Sequence, residues 1–162
     1  MRRIRGERWS TIFPQAGKMK ASLAFVLALV LLVLPASGSA FEKIASAGGD
    51  ITEILFEIGV GDRVVAVDNT SIYPNSVRDL KQIGYVRDLS AEGVLSTGAD
   101  ILIGAHDMGS PAVMDNLAAA GMTVAFAPEG AGVSRYEEKV RFIGEQLGLE
   151  EQADAMINAS YD

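Results

Sequence analysis

Between Lys43 and Gly148, short aliphatic runs alternate with capped stretches of helical period, and glycines mark most of the switches. That alternation constrains the fold more than any other feature, because strands separated by helices form parallel sheets with the helices packed on their faces. Lys43-Ile-Ala-Ser-Ala47 reads as a first strand and Gly48-Gly49 as the turn into a helix. Asp50 with Glu53 has the spacing of a capping box, Ile51, Ile54, Leu55 and Ile58 form the apolar stripe, and Gly59 ends the helix. Val64-Val-Ala-Val67 predicts a second strand running into Asp68, and Asn69 to Lys81 reads as a loop. Ser90 caps a short helix through Leu95, and Asp100-Ile-Leu-Ile-Gly104 predicts a third strand. Ser110-Pro111 opens a helix to about Ala120, with proline at its first position. Gly121 closes it, and Met122-Thr-Val-Ala-Phe126 is a fourth strand. Ser134 and Glu137 have the spacing of a second capping box, for a helix to Leu147 that Gly148 stops. The expected class is α/β, with a Rossmann-like, doubly wound parallel sheet.

The first forty residues have a different character. They hold six basic residues and one acid, a charge of +5, whereas residues 41–162 hold eight basic and twenty acidic residues, a charge of −12. From Met19, a lysine, the fourteen-residue run Ala21 to Leu34 and Pro35-Ala-Ser-Gly-Ser-Ala40 make the three regions of a secretory signal. The run falls short of the roughly 20 residues a membrane helix needs. Residues 19–40 are therefore expected to be the signal proper, cleaved after Ala40, with 1–18 an upstream extension that leaves Met1 and Met19 as competing start codons. Arg2-Arg3 lies too far from the apolar run to mark twin-arginine export. The expected compartment is the periplasm.

Composition also removes several chemistries. An acidic body cannot neutralise phosphates, so nucleic acid is not an expected partner. The chain has no cysteine and a single histidine, His106, which excludes disulfides, thiolate nucleophiles and multi-histidine metal sites. Ser46-Ala-Gly-Gly-Asp50 follows a strand as a phosphate-binding turn would, but neither G-x-G-x-x-G nor a Walker lysine is present, and a tight turn accounts for it. There is also no G-x-S-x-G elbow. Glu137-Glu138 and Glu150-Glu151 fall at helix starts, where acids favour the dipole.

The segment Gln82-Ile-Gly-Tyr-Val-Arg-Asp-Leu-Ser-Ala-Glu-Gly-Val-Leu95 carries more information. Tyr85 precedes Arg87 by two positions, in a turn leading to a helix, at the sheet end where doubly wound folds bind ligands. In extended chain such residues project to the same side. A guanidinium beside a phenol favours the phenolate, a hard oxygen donor suited to ferric iron, and tyrosine is a known axial haem ligand. An ordinary surface tyrosine beside a surface arginine fits the same spacing.

Three stretches together resemble the periplasmic haem (hemin) substrate-binding proteins of bacterial ABC importers, in the class III, helical-backbone family that also includes siderophore and cobalamin receptors. They are Ile44 to Leu55 with Gly59 and Val65-Ala-Val-Asp-Asn-Thr-Ser71; Tyr73-Pro74 through Gly84-Tyr-Val-Arg-Asp-Leu-Ser-Ala-Glu92; and Ala99 to Ile103 with Gly109-Ser-Pro-Ala-Val113. The G-Y-x-R-x-L-S-x-E-G stretch is the one specific to haem binders. The resemblance implies that Tyr85 is the axial iron ligand, that Arg87 hydrogen-bonds it and that Glu92 docks the lobe onto the permease. It implies a non-enzymatic monomer carrying haem b (hemin) to an inner-membrane permease and its ATPase, with an outer-membrane haem receptor upstream. His106, Met108 and Tyr73 are further candidates for the haem pocket by position, and Lys81 and Arg78 for its propionates.

By the same resemblance, 41–148 is an amino-terminal lobe and 149–162 begins the helix between lobes, truncated before a second lobe. The rival readings are a binder of a ferric siderophore, cobalamin or another metal complex; an α/β enzyme such as a nucleotide-dependent transferase; and a nonfunctional gene fragment.

Overall fold

A computed structural model describes residues 41–161; the signal and extension expected at 1–40 lie outside the described residues. In chain order the elements are β1 (Ile44–Ala47), α1 (Gly49–Glu57), β2 (Val64–Val67), β3 (Lys81–Gln82), the paired β4 (Gly84–Tyr85) and β5 (Asp88–Leu89), α2 (Ala91–Leu95), β6 (Ile101–Gly104), α3 (Pro111–Ala119), β7 (Thr123–Phe126), α4 (Val133–Leu147) and α5 (Glu150–Ala159). Short 3₁₀ turns occupy Gly61–Arg63 and Asn75–Asp79.

Five strands form one parallel sheet in the order β3-β2-β1-β6-β7. The chain winds outward from β1 through β2 to β3, then returns to β6 on the other side of β1, which is the doubly wound topology expected from the sequence. The switch point lies between β1 and β6, where such sheets open a crevice at their carboxyl ends.

Period-two alternation divides β1, β6 and β7 between two cores, to which β2 also contributes on both sides. Ile44, Val64, Val67, Ile101, Ile103 and Ala125 pack against α1, α4 and α5 through Ile51, Ile54, Leu55, Val140, Ile143, Leu147, Ala153 and Ile157. Ala45, Ala47, Ala66 and Leu102 face the other way, against Val94 of α2 and Met114 and Leu117 of α3. Both faces are covered, which explains why the strands read as nearly continuous apolar runs. No helix among the described residues is long and apolar enough to cross a membrane.

Three expectations are corrected. The loop after β2 contains the Asn75–Asp79 turn and ends in a fifth strand at Lys81–Gln82. α1 starts at Gly49, two residues before the Ile51 start that an Asp50 cap requires, so Asp50 sits inside the first turn, where its Oδ1 accepts from the adjacent Ile51 N–H at 3.0 Å. Its Oδ2 instead accepts from Lys139 Nζ of α4 at 2.6 Å. Ser134 is likewise inside α4, whose cap is Gly132, and Glu137 accepts from the Tyr161 hydroxyl. The Ser90 and Ser110 caps form as expected, each hydroxyl accepting a backbone N–H three residues on.

Candidate functional site at the carboxyl edge of the sheet

The loops leaving β1, β2, β6 and β7 meet along one edge and are joined by main-chain hydrogen bonds. Asp68 N–H donates to Ser46 O at 3.1 Å, Ala105 N–H to Ala47 O at 2.8 Å and Ala127 N–H to Gly104 O at 2.8 Å. The β4-β5 hairpin lies in this array. Asn69 N–H donates to Gly84 O and Gly109 N–H to Val86 O, both at 2.8 Å, so the hairpin is held from the loop after β2 and from the loop after β6. Val86 and Leu89 bury their side chains in the core beneath it.

A chain of buried oxygens anchors the loop after β2. Asp68 is fully buried; its Oδ1 accepts from Gly48 N–H and the Ser71 hydroxyl, each at 2.8 Å. Its Oδ2 accepts from Thr70 N–H at 3.0 Å and the Thr70 hydroxyl at 2.7 Å. Thr52 Oγ1 lies 2.6 Å from Ser71 Oγ and 2.7 Å from Ser46 Oγ. Because Ser71 spends its proton on the carboxylate, Thr52 donates to Ser71 and Ser46 to Thr52, one direction throughout. The Gly48-Gly49 turn permits this closeness. Gly48 has φ +120°, and a Cβ on Gly49 would stand 2.9 Å from Thr70 O.

Tyr85 and Arg87 do not share an extended strand as their spacing suggested. Tyr85 pairs with Asp88 across a two-residue turn, and Arg87 occupies that turn. Both are exposed, Tyr85 by 46 %. Arg87 Nε donates to Asp107 Oδ2 at 2.6 Å, a partner the sequence reading missed. This bond, the Asp107 charge and then the nearby Tyr85 oxygen all hold the Arg87 guanidinium above its ordinary pKa. Arg87 in turn holds the Asp107 carboxyl below the usual carboxylate range, first by that hydrogen bond, with a smaller push from His106. His106 Nε2 stands 3.6 Å from Glu129 Oε1 of the loop after β7.

The other candidates separate. Tyr73 is exposed in the loop after β2, and Glu92 is exposed in the first turn of α2, just beyond the hairpin. Met108 does not line a ligand-facing surface: it is 1 % exposed and packs over Gly104, where a Cβ would come within 2.4 Å of its sulfur. Lys81 donates to the carbonyl and hydroxyl of Ser96 at 3.0 and 2.9 Å, at the end of α2. Arg78 is exposed in the turn before β3. Seven large apolar side chains are exposed among the described residues, and five of them, Ile72, Tyr73, Tyr85, Phe126 and Val133, belong to segments at this edge. With a phenol and a guanidinium beside it, the edge suits a large, partly apolar ligand that carries a hard metal or an anionic group.

Comparison with known proteins places the chain in a family of binding proteins. The family model described as "Periplasmic binding protein" matches residues 44–162. A periplasmic heme-binding protein from Pseudomonas aeruginosa superposes with a TM-score of 0.70 at 34 % identity, over 75 % of this chain and 44 % of its own. The chain is 31 % identical over 121 residues to YvrC of Bacillus subtilis (strain 168), an uncharacterized ABC transporter substrate-binding lipoprotein, covering 73 % of this chain and 38 % of YvrC. It is also 31 % identical over 104 residues to a vitamin B12-binding protein of Yersinia pseudotuberculosis serotype O:1b, covering 64 % of this chain and 36 % of that protein. The chain thus spans less than two fifths of the length of these curated relatives.

Proposed function

The chain belongs to the periplasmic binding protein family, in its class III branch, and on that premise we propose that it binds haem (hemin) through Tyr85 and delivers it to an ABC permease. Members of the family are substrate-binding proteins of ABC transporters rather than enzymes. The observation that carries the haem reading is the exposed Tyr85 phenol beside the Arg87 guanidinium, on an apolar edge of a chain 34 % identical to a periplasmic heme-binding protein. Iron is held by the Tyr85 oxygen; Arg87 hydrogen-bonds that oxygen; the exposed Tyr73 and Phe126 rings offer apolar surface to the macrocycle. His106, on the neighbouring loop, supplies a further contact. Glu92 presents a carboxylate to the permease, and the permease's ATPase drives uptake. In this reading the chain works in the periplasm as a monomer, residues 41–148 form one lobe, and α5 begins the connection to another.

Hemin titration of the purified chain tests this. A Soret shift with the visible bands of a tyrosinate-ligated ferric haem is expected, and Tyr85→Phe should abolish those bands and weaken binding at least tenfold. An unchanged spectrum and affinity in Tyr85→Phe would sink the axial assignment. A second reading, capture of cobalamin, rests on the vitamin B12-binding relative. Competition between hemin and cyanocobalamin separates the two, since cobalamin has no need of a phenolate.

A further inference from the structure

Building on the haem reading, we propose that Asp107 is a positioning residue for the ligand-binding end of the site: by taking Arg87 Nε it fixes the guanidinium so that its terminal amino groups face the Tyr85 oxygen and the ligand. Arg87 sits at the tip of a two-residue turn with its side chain 64 % exposed. A long side chain in that setting samples many rotamers, and holding it in one costs entropy. Asp107, two-thirds covered, donates no proton and offers one acceptor at 2.6 Å to the nitrogen nearest the stem. Because the guanidinium is planar, fixing Nε fixes the plane and the direction of the other two nitrogens. The two backbones carrying this pair are held at a set distance, since Gly109 N–H donates to Val86 O at 2.8 Å one residue before Arg87 and two after Asp107. The same guanidinium feels the Tyr85 oxygen. Asp107 thus holds Arg87 from the loop after β6, and Arg87 lies two residues from Tyr85 in the same hairpin. This is the arrangement by which outer partners orient a metal-binding group, and loss of such a partner typically costs about 10–100-fold in affinity.

The test uses hemin and the full chain with four substitutions: Asp107→Ala, Asp107→Asn, Arg87→Ala and the double Asp107→Ala/Arg87→Ala. Asp107→Ala should raise the hemin dissociation rate about tenfold and move the Soret and visible bands toward those of Arg87→Ala. Asp107→Asn retains a carbonyl oxygen for Arg87 Nε and should restore the parent spectrum. The double variant should match Arg87→Ala alone, because Asp107 acts through Arg87. Circular dichroism and the urea midpoint of each variant show whether folding has changed. Equal spectral shifts in the Ala and Asn variants would show that charge and not position matters, and additive losses in the double variant would show that Asp107 acts by another route. Either result overturns the proposal, as does an Asp107→Ala chain that behaves like the parent. A parent chain with no Soret response overturns the haem reading and this proposal with it, whereas a responding parent isolates the role of Asp107.

Discussion

The loop Asp68–Ser71 and the hairpin Gly84–Leu89 are neighbours, joined by Asn69 N–H donating to Gly84 O at 2.8 Å, and they treat polar groups in opposite ways. In the loop, Asp68 and Ser71 are buried and both carboxylate oxygens accept two hydrogen bonds each. In the hairpin, apolar Val86 and Leu89 are buried while the phenol of Tyr85 and the guanidinium of Arg87 are left at the surface. A saturated polar network has one low-energy arrangement, because any other leaves a buried donor or acceptor without a partner. The hairpin contributes little rigidity of its own with two residues per strand. Its placement is therefore borrowed from the buried loop on one side and from Gly109 on the other. The exposed groups can stay chemically available because the buried ones hold the backbone beneath them.

This division can be broken from the buried side first. Asp68→Ala leaves Gly48 N–H and the Ser71 hydroxyl buried without acceptors, and should destabilise the fold by about 3–5 kcal/mol. A urea melt followed by circular dichroism checks it, and a loss below about 1 kcal/mol would mean that water or a rearranged loop satisfies those groups. Thr52→Val is the milder break. It keeps the shape but removes the hydroxyl linking Ser46 to Ser71, and should cost about 1–2 kcal/mol in the same melt. In both variants hemin binding should weaken in step with stability, although neither residue is placed to meet the ligand.

The two segments also differ in how far sequence reveals them. The elements of the sheet were legible because strand and helix periods differ and because glycines and serine caps mark the switches, as at Ser90, Ser110 and Gly148. Two capping boxes with the right spacing did not form, since Gly48 and Gly132 take positive φ and start each helix one or two residues before the acid or hydroxyl expected to cap it. β3 is two exposed residues, too short for any period to show. In the loop after β2, Asp68-Asn-Thr-Ser71 carried a readable signal, a side-chain oxygen poised over the next backbone N–H groups. The partner of Arg87 carried none. Asp107 is twenty positions away and is brought close only by the return of the chain from β3 to β6 across the sheet.

The smallest effect expected on stability is at the exposed end of the comparison. Asp107 and Arg87 are paired in solvent, with side chains 32 % and 64 % exposed, and pairs of that kind contribute little to folding because water screens the charges and ordering the side chains costs entropy. The direction of what remains is fixed by linkage. Arg87 lowers the folded-state pKa of Asp107, so the folded chain releases that proton more readily than the unfolded one. Its contribution is present above the unfolded aspartate value of about 3.9 and is lost as pH falls through the lower folded value. The difference in urea midpoint between the parent and Asp107→Asn should therefore be small at pH 7 and shrink further as pH falls below the ordinary aspartate range. Asp68→Ala should remain far less stable than the parent at pH 7, where its buried donors have lost their acceptor. If Asp107→Asn instead destabilised the fold as much as Asp68→Ala, the hairpin tip would be part of the scaffold and the separation of holding from binding would fail.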